Sequence, residues 1–319
     1  MKPPYEITSS ILQLVSEISE KIGAIHATMM DRPSPELRKK NRVRTIKASL
    51  AIEGNTLSEA QITAIIDNKR VLGPQTEITE VRNAIEVYDQ LPEFDPYSLA
   101  DFLQAHGTLM NGLMDRPGTF RTSGVGIVKG NVISHLAPPA RLVPSLMEKL
   151  FDYLKHSTDH ALIKSCVGHY EIEFIHPFLD GNGRMGRLWH TCLMMRNYPI
   201  IEFLPFETLI KHRQAGYYNA MEHADNSGKS TVFIEFMLMA IRDALDEVML
   251  TPPPSLKPKD RLVYFRSHFD GNTFSRKDYL SVFGNLSTAT ASRDLKLAES
   301  QGLVTKTGQR NQTRYSWTS

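Results

Sequence analysis

Twelve consecutive residues, His176-Pro-Phe-Leu-Asp-Gly-Asn-Gly-Arg-Met-Gly-Arg187, constrain this chain more than any other feature. A proline directly after His176 stops an incoming helix there. Gly181, Asn182 and Gly183 read as a turn, and Arg184 to Met195 as the helix that follows it. Backbone N–H groups of such a turn, at a helix N-terminus, surround an anion and add a favourable dipole. Arg184 and Arg187 lie three apart, so both guanidinium groups can lean over one site. Asp180 is a hard oxygen ligand placed where a magnesium ion bridging phosphates belongs. His176 is the one group in the stretch that takes up a proton near neutral pH. Phe178 reads as an apolar anchor for the loop. The residues describe a site for a metal-bound polyphosphate with a base beside it.

The remainder must supply a scaffold. At 319 residues, with 41% hydrophobic and 23% charged, the chain is long enough for a substantial core and has room for two domains. Its start, Met-Lys-Pro-Pro-Tyr-Glu, lacks the apolar segment of a signal peptide, and no run of 18 apolar residues occurs. The expectation is a cytoplasmic protein without a membrane partner. Cys166 and Cys192 both fall in apolar helical patterns and read as buried free thiols.

Helical periodicity recurs over Ser9–Met29, from Pro35 to about Glu53, and over Glu77–Leu91, Ser98–Met114, Pro144–His156, Asp159–Ile175, Glu207–Ala224 and Thr231–Leu250. Ser58 with Gln61 forms a helix-start pattern, and Gly54 suits a left-handed helix end. His106 reads as a satisfied histidine, not a ligand. Gly124 to His135 is the one convincing β signal before the tail, two short strands around Lys129-Gly130. Ser49 and Glu53 share a face of the second helix. A carboxylate in a last helical turn opposes the dipole, so the local reading of Glu53 is a solvated side chain.

The twelve-residue stretch resembles the signature of the Fic family, His-Pro-Phe-x-(Asp/Glu)-Gly-Asn-Gly-Arg-x-x-Arg, with all nine specified positions matched. The resemblance implies a mainly α fold, a Fic-type helical bundle with a small β-hairpin flap. It implies transfer of AMP from ATP, with Mg²⁺, to a Ser, Thr or Tyr hydroxyl of an unknown target protein, or of the chain itself. Asp180 to Arg187, with Met185 and Gly186 among them, would then bind ATP. Tyr217, Tyr218 and Asp225 would lie near the nucleotide. Asn131, Val132, Ile133 and Ser134 would be the flap edge, pairing with an extended target segment by strand addition. Ser49, Glu53 and Gly54 resemble the family's inhibitory motif, (Ser/Thr)-x-x-x-Glu-(Gly/Asn), in the subclass that carries it before the core. There the glutamate pairs with the second signature arginine, here Arg187.

A proline-rich stretch at 251–259 marks a domain boundary. It divides an N-terminal helical region (1–97) and core (98–250) from a tail (260–319). From Leu256 onward there are 11 Lys and Arg against 5 Asp and Glu, on a chain of net charge +2. The tail resembles a winged helix-turn-helix module, with Thr288 to Ala298 as the recognition-like helix, Arg293 and Lys296 on it, and Arg310 and Arg314 in the wing. Its partner reads equally as DNA or protein. Other readings stay open: a DNA-binding regulator whose Fic core senses nucleotide, Fic-type transfer of another nucleotide or of phosphate, and a homodimer.

Overall fold

The structure is a computed structural model, and it describes residues 2–28, 35–124, 126–129, 132–250, 258–269, 271–283, 286–309 and 313–318. Asn131, Gly130, Arg310, Asp31 to Ser34 and residues 251–257 of the proline-rich stretch lie outside the described residues. The chain divides into two compact units, one reaching Thr251 and one beginning at Pro252.

The first unit is helical around a central pair, α7 (Ala161–Ile175) and α8 (Asn182–Met195). Close approach of the pair depends on Gly186, where an added Cβ would meet Glu173 Oε1 at 2.7 Å. Before them come α1 (Ser9–Thr28), α2 (Pro35–Ile52), α3 (Glu59–Ile66), α4 (Gln75–Gln90), α5 (Leu99–Leu109) and α6 (Val143–His156). After them come α9 (Phe206–His212), α10 (Gln214–Ser227) and α11 (Thr231–Leu250). α1 packs on α11, and α2 packs on α9. Trp189 of α8 is fully buried among Phe94, Phe102 and Phe151, and its indole N–H donates to the carbonyl of Pro96 at 3.1 Å. Strands β1 (Gly126–Lys129) and β2 (Val132–Leu136) pair antiparallel, with an irregularity between Ile127 and Val128. Cys166 and Cys192 are buried and free. Among the described residues no helix is long and apolar enough to cross a membrane.

Three boundaries differ from the periodicity. α5 stops at Leu109, five residues early, because Met110 and Gly112 turn the chain, Gly112 at φ +69°. The pattern over 207–224 is two helices, interrupted at Arg213, whose N–H still reaches the carbonyl of Leu209 at 2.9 Å while its φ of −111° leaves the helical region. α8 begins at Asn182, so Asn182 and Gly183 belong to its first turn, and Gly181, at φ +83°, is its cap.

α2 ends as Gly54 permits. Gly54 has φ +99°; its N–H donates to Ala51 and that of Asn55 to Leu50, at 3.3 and 3.1 Å. This pair of bonds satisfies two orphan carbonyls and places Glu53 at the helix terminus.

The second unit runs α12 (Pro258–His268), β3 (Thr273–Phe274), α13 (Arg276–Val282), α14 (Thr288–Ser300), β4 (Val304–Thr307) and β5 (Arg314–Trp317). Its sheet has the order β3-β5-β4, all antiparallel, one strand more than the expected hairpin. Leu262, Phe265, Phe274, Tyr279, Leu295 and Val304 form its core. Within it Arg261 makes a two-point ion pair to Asp294, at 2.5 and 2.7 Å, and the Tyr279 hydroxyl donates to the same carboxylate at 3.1 Å. Asp294→Ala would strand a buried guanidinium, at a cost of about 3–5 kcal/mol. The expected result is loss of amide-exchange protection in α12 and α14 with that of α7 and α8 retained.

Candidate functional site

α7 delivers His176 in a left-handed conformation, φ +51° and ψ +61°, which costs a non-glycine residue roughly 1–3 kcal/mol. Arg121 holds it there. This arginine is 3% exposed; Nε donates to the His176 carbonyl at 2.7 Å, and the two terminal nitrogens reach the carbonyls of Ser123, Pro138 and Ile175 at 2.9, 2.5 and 3.2 Å. Its own N–H donates to Pro177 at 2.9 Å. The His176 Nδ1 faces the carbonyl of Glu173 at 3.3 Å. A carbonyl only accepts, so Nδ1 carries the proton and Nε2 is the basic nitrogen.

The loop between His176 and α8 is closed by its own side chains. Asn182 Oδ1 accepts from the Phe178 N–H and its Nδ2 donates to the Phe178 carbonyl, both at 2.9 Å. The Phe178 ring is fully buried and stacks on His106, centroids 3.5 Å apart and planes 6° apart. The Gly118 N–H donates to His106 Nδ1 at 2.8 Å, so Nε2 carries the proton and donates to the Asp180 carbonyl at 3.0 Å. Burial pushes His106 down to about 4, so it stays neutral and holds this tautomer. Gly181 is required beside it: an added Cβ would lie 2.7 Å from Met110 Sδ.

The N-terminus of α8 is thus held open, and a carboxylate occupies it. Arg187, 1% exposed, donates from Nε to Ser49 Oγ at 3.1 Å, and from Nη2 to the Ser49 carbonyl at 2.9 Å and to Glu53 Oε1 at 2.8 Å. A Cβ on Gly183 would lie 2.5 Å from the same Glu53 oxygen. The acid therefore sits over the first turn of α8. Burial opposes the charge on Arg187, and the Glu53 carboxylate more than offsets this, raising the guanidinium above its ordinary value.

Arg184 donates to Glu80 Oε1 at 2.9 Å and to Asp180 Oδ1 at 3.2 Å, while its buried Nε has no hydrogen-bond partner. Glu80 Oε2 in turn accepts from Asn55 Nδ2 at 2.8 Å. The Asp180 side chain is 65% exposed. Among the described residues no three or more His, Cys, Asp or Glu side chains group as a metal site. One open carboxylate beside an anion site suits Mg²⁺, which keeps several waters and takes phosphate oxygens.

The other expected residues are less centrally placed. Met185 is buried, its N–H bonded to Gly181 at 2.9 Å, and Gly186 faces α7, so neither offers a side chain to the site. Tyr217 is buried, its hydroxyl 2.9 Å from His169 Nε2, with Tyr218 at its edge and 37% exposed. Asp225 accepts from the Tyr170 hydroxyl at 2.7 Å. Val132, Ile133 and Ser134 lie on β2, with Val132 opposite Lys129 and Ile133 opposite Val128. Sequence reading missed Arg121, Glu80 and the place of His106, since each acts across more than 50 residues with no local pattern to mark it.

Fold and site define a helical protein with a histidine beside the N-terminus of a buried helix, over which a carboxylate lies. Residues 96–194 match the Fic/DOC family. A crystal structure of a Fic family protein from Desulfovibrio desulfuricans is 42% identical, covers 100% of this chain and 98% of its own, and superposes with a TM-score of 0.77. The chain belongs to the Fic/DOC family. It is also similar to protein adenylyltransferase fic-1 of Caenorhabditis elegans, 30% identical over 59% of this chain and 37% of the relative. Protein adenylyltransferase Fic of Drosophila erecta is 27% identical over 74% of this chain and 47% of its own. The chain spans less than half the length of these curated relatives.

Proposed function

We propose that the chain is a protein adenylyltransferase, moving AMP from ATP to a Ser, Thr or Tyr hydroxyl of a target protein and restrained by its own Glu53. The observation that carries this reading is Glu53 Oε1, 2.8 Å from Arg187 and over Gly183. A carboxylate at a helix N-terminus occupies the place of an anionic ligand. The phosphates lie on the first amides of α8, with the unpaired Nε of Arg184 and, once Glu53 leaves, Arg187 as cationic donors. Bound Mg²⁺ on Asp180 supplies charge neutralisation at the phosphates. His176 Nε2 accepts the target hydroxyl's proton; the oxygen bonds to the α-phosphorus as its bond to the bridging oxygen breaks, and pyrophosphate leaves with its charge met by the arginines. While Glu53 holds Arg187, the phosphates are denied the orientation that this in-line attack needs. β2 offers an edge for an extended target segment.

The test is incubation of the full chain and a Glu53→Gly variant with lysate protein and ATP labelled at either the α- or the γ-position. Label retained from the α-position alone is expected; label from the γ-position would show phosphate transfer and overturn the assignment. A second prediction concerns Arg121. Lysine offers a point charge that cannot span four carbonyls. Arg121→Lys should therefore lower kcat by about 10²-fold through misplacement of His176, with ATP affinity retained, as measured by labelling rate and ATP titration.

For the second unit we infer a winged helix-turn-helix, from its three helices and the sheet order β3-β5-β4. Arg293 and Lys296 are exposed on α14. DNA is the partner these cations favour, checked by a mobility shift of the full chain that weakens steeply with salt.

A further inference from the structure

An α-helix leaves its last four carbonyls without intrahelical donors. At the end of α2 each of the four is met. The Ser49 carbonyl accepts from Arg187, and that of Leu50 from the Glu53 and Asn55 N–H groups at 3.0 and 3.1 Å. The other two are reached from α9 and α10. Lys211 Nζ donates to the Ala51 carbonyl at 2.7 Å, beside the longer bond from Gly54 at 3.3 Å. Gln214 Nε2 donates to the Ile52 carbonyl at 3.3 Å. Lys211 also donates to Gln214 Oε1 at 3.0 Å, so the two side chains brace each other. Lys211 lies in the last turn of α9 and Gln214 opens α10, one on each side of the break at Arg213. The Arg213 guanidinium is tied to Asp243 of α11 at 2.7 Å, which fixes the break against the bundle. α2 has no basic residue in its own last turn, so the cation that its dipole favours there is supplied by α9.

We propose that Lys211 and Gln214 are positioning residues of the brake, a two-point latch on the last carbonyls of α2 that holds Glu53 against Arg187. Their effect on rate rests on the adenylyl-transfer reading. Ala51 and Ile52 directly precede Glu53. Helix ends fray at little cost, and a glutamate on a frayed end loses its place over Arg187. Here the end cannot fray without breaking a charge-assisted bond from Lys211. Glu53 reaches Arg187 through a single oxygen, and its side chain is 34% exposed, so its direction depends on the backbone that carries it. The latch fixes that backbone from α9 and α10, whereas Arg187 belongs to α8. Grip on the carboxylate and grip on its backbone therefore come from separate elements, and loosening the second releases the first.

The test is AMP labelling by the full chain carrying Lys211→Met or Gln214→Leu, beside Glu53→Gly, with amide exchange at residues 53–55 as a second readout. Methionine keeps the apolar stem of Lys211 and removes its donor. Loss of one charge-assisted hydrogen bond should raise the labelling rate by about tenfold or more in Lys211→Met, and loss of the neutral bond should raise it by about threefold in Gln214→Leu. A merely structural role would lower the rate instead. Added to Glu53→Gly, Lys211→Met should give no further gain, because the latch then has no carboxylate to hold. The amides of residues 53–55 should exchange about tenfold faster in Lys211→Met, with those of α8 unchanged. Labelling unchanged or lowered in both variants, while Glu53→Gly gains, overturns the positioning role, and so does a full further gain in the double variant. Exchange unchanged in both variants overturns the latch. If Glu53→Gly itself gains nothing, the transfer reading fails, and exchange alone still decides the latch.

Discussion

Glu53→Gly is expected to raise AMP labelling by about 10²-fold or more, the scale on which misplacing a reactant suppresses a rate. The carboxylate bridges the end of α2 to both Arg187 and the first turn of α8. Without it, Arg187 keeps its two bonds to Ser49 through Nε and Nη2 but regains a donor for phosphate. Glu53 is 34% exposed but Arg187 only 1%, so losing the carboxylate leaves a buried guanidinium held by Ser49 alone, and that lowers folding stability. A large gain in rate together with a lowered unfolding midpoint is the expected pattern. An unchanged rate, measured with α-labelled ATP, would remove Glu53 from its assigned role.

Adding His176→Ala to that variant should lower labelling by about 10²–10⁴-fold, the usual contribution of a positioned general base. ATP affinity should hold, because His176 is placed at the end of α7 and the amides proposed to hold the phosphates belong to α8. The two measurements separate cleanly: rate from labelling, affinity from nucleotide titration of the double variant. Retained rate would mean that another group takes the proton. Lost affinity would mean that His176 supports the loop more than the chemistry.

These two residues also mark how far the sequence could be read. His176, Asp180, Arg184 and Arg187 lie within twelve residues, and helical spacing is enough to set the two arginines on a shared face. Glu53 is different. Local reasoning made it a solvated side chain, because a carboxylate at a helix C-terminus is normally disfavoured unless a cation meets it. That cation is 134 residues away, and only the resemblance brought the two together. Arg121 and His106 carry no such signal: one is an arginine in a turn, the other a histidine in a helix, and their work is to bond carbonyls of a distant loop. The break at Arg213 and the early end of α5 escaped for a related reason. Apolar spacing continues through both, and the turns are imposed by backbone geometry at Arg213 and Gly112.

The Glu80 carboxylate accepts from both Asn55 and Arg184, and this has a thermodynamic corollary. The segment closing α2 engages both arginines, Arg187 directly and Arg184 through Glu80. A nucleotide that draws Arg184 onto its phosphates competes with the same segment that Arg187 anchors. Linkage requires the reverse in equal measure. On the proposed reading, whatever loosens residues 53–55 tightens nucleotide binding by the factor by which nucleotide loosens them, and the affinity for ATP then gauges how firmly the helix end is fastened.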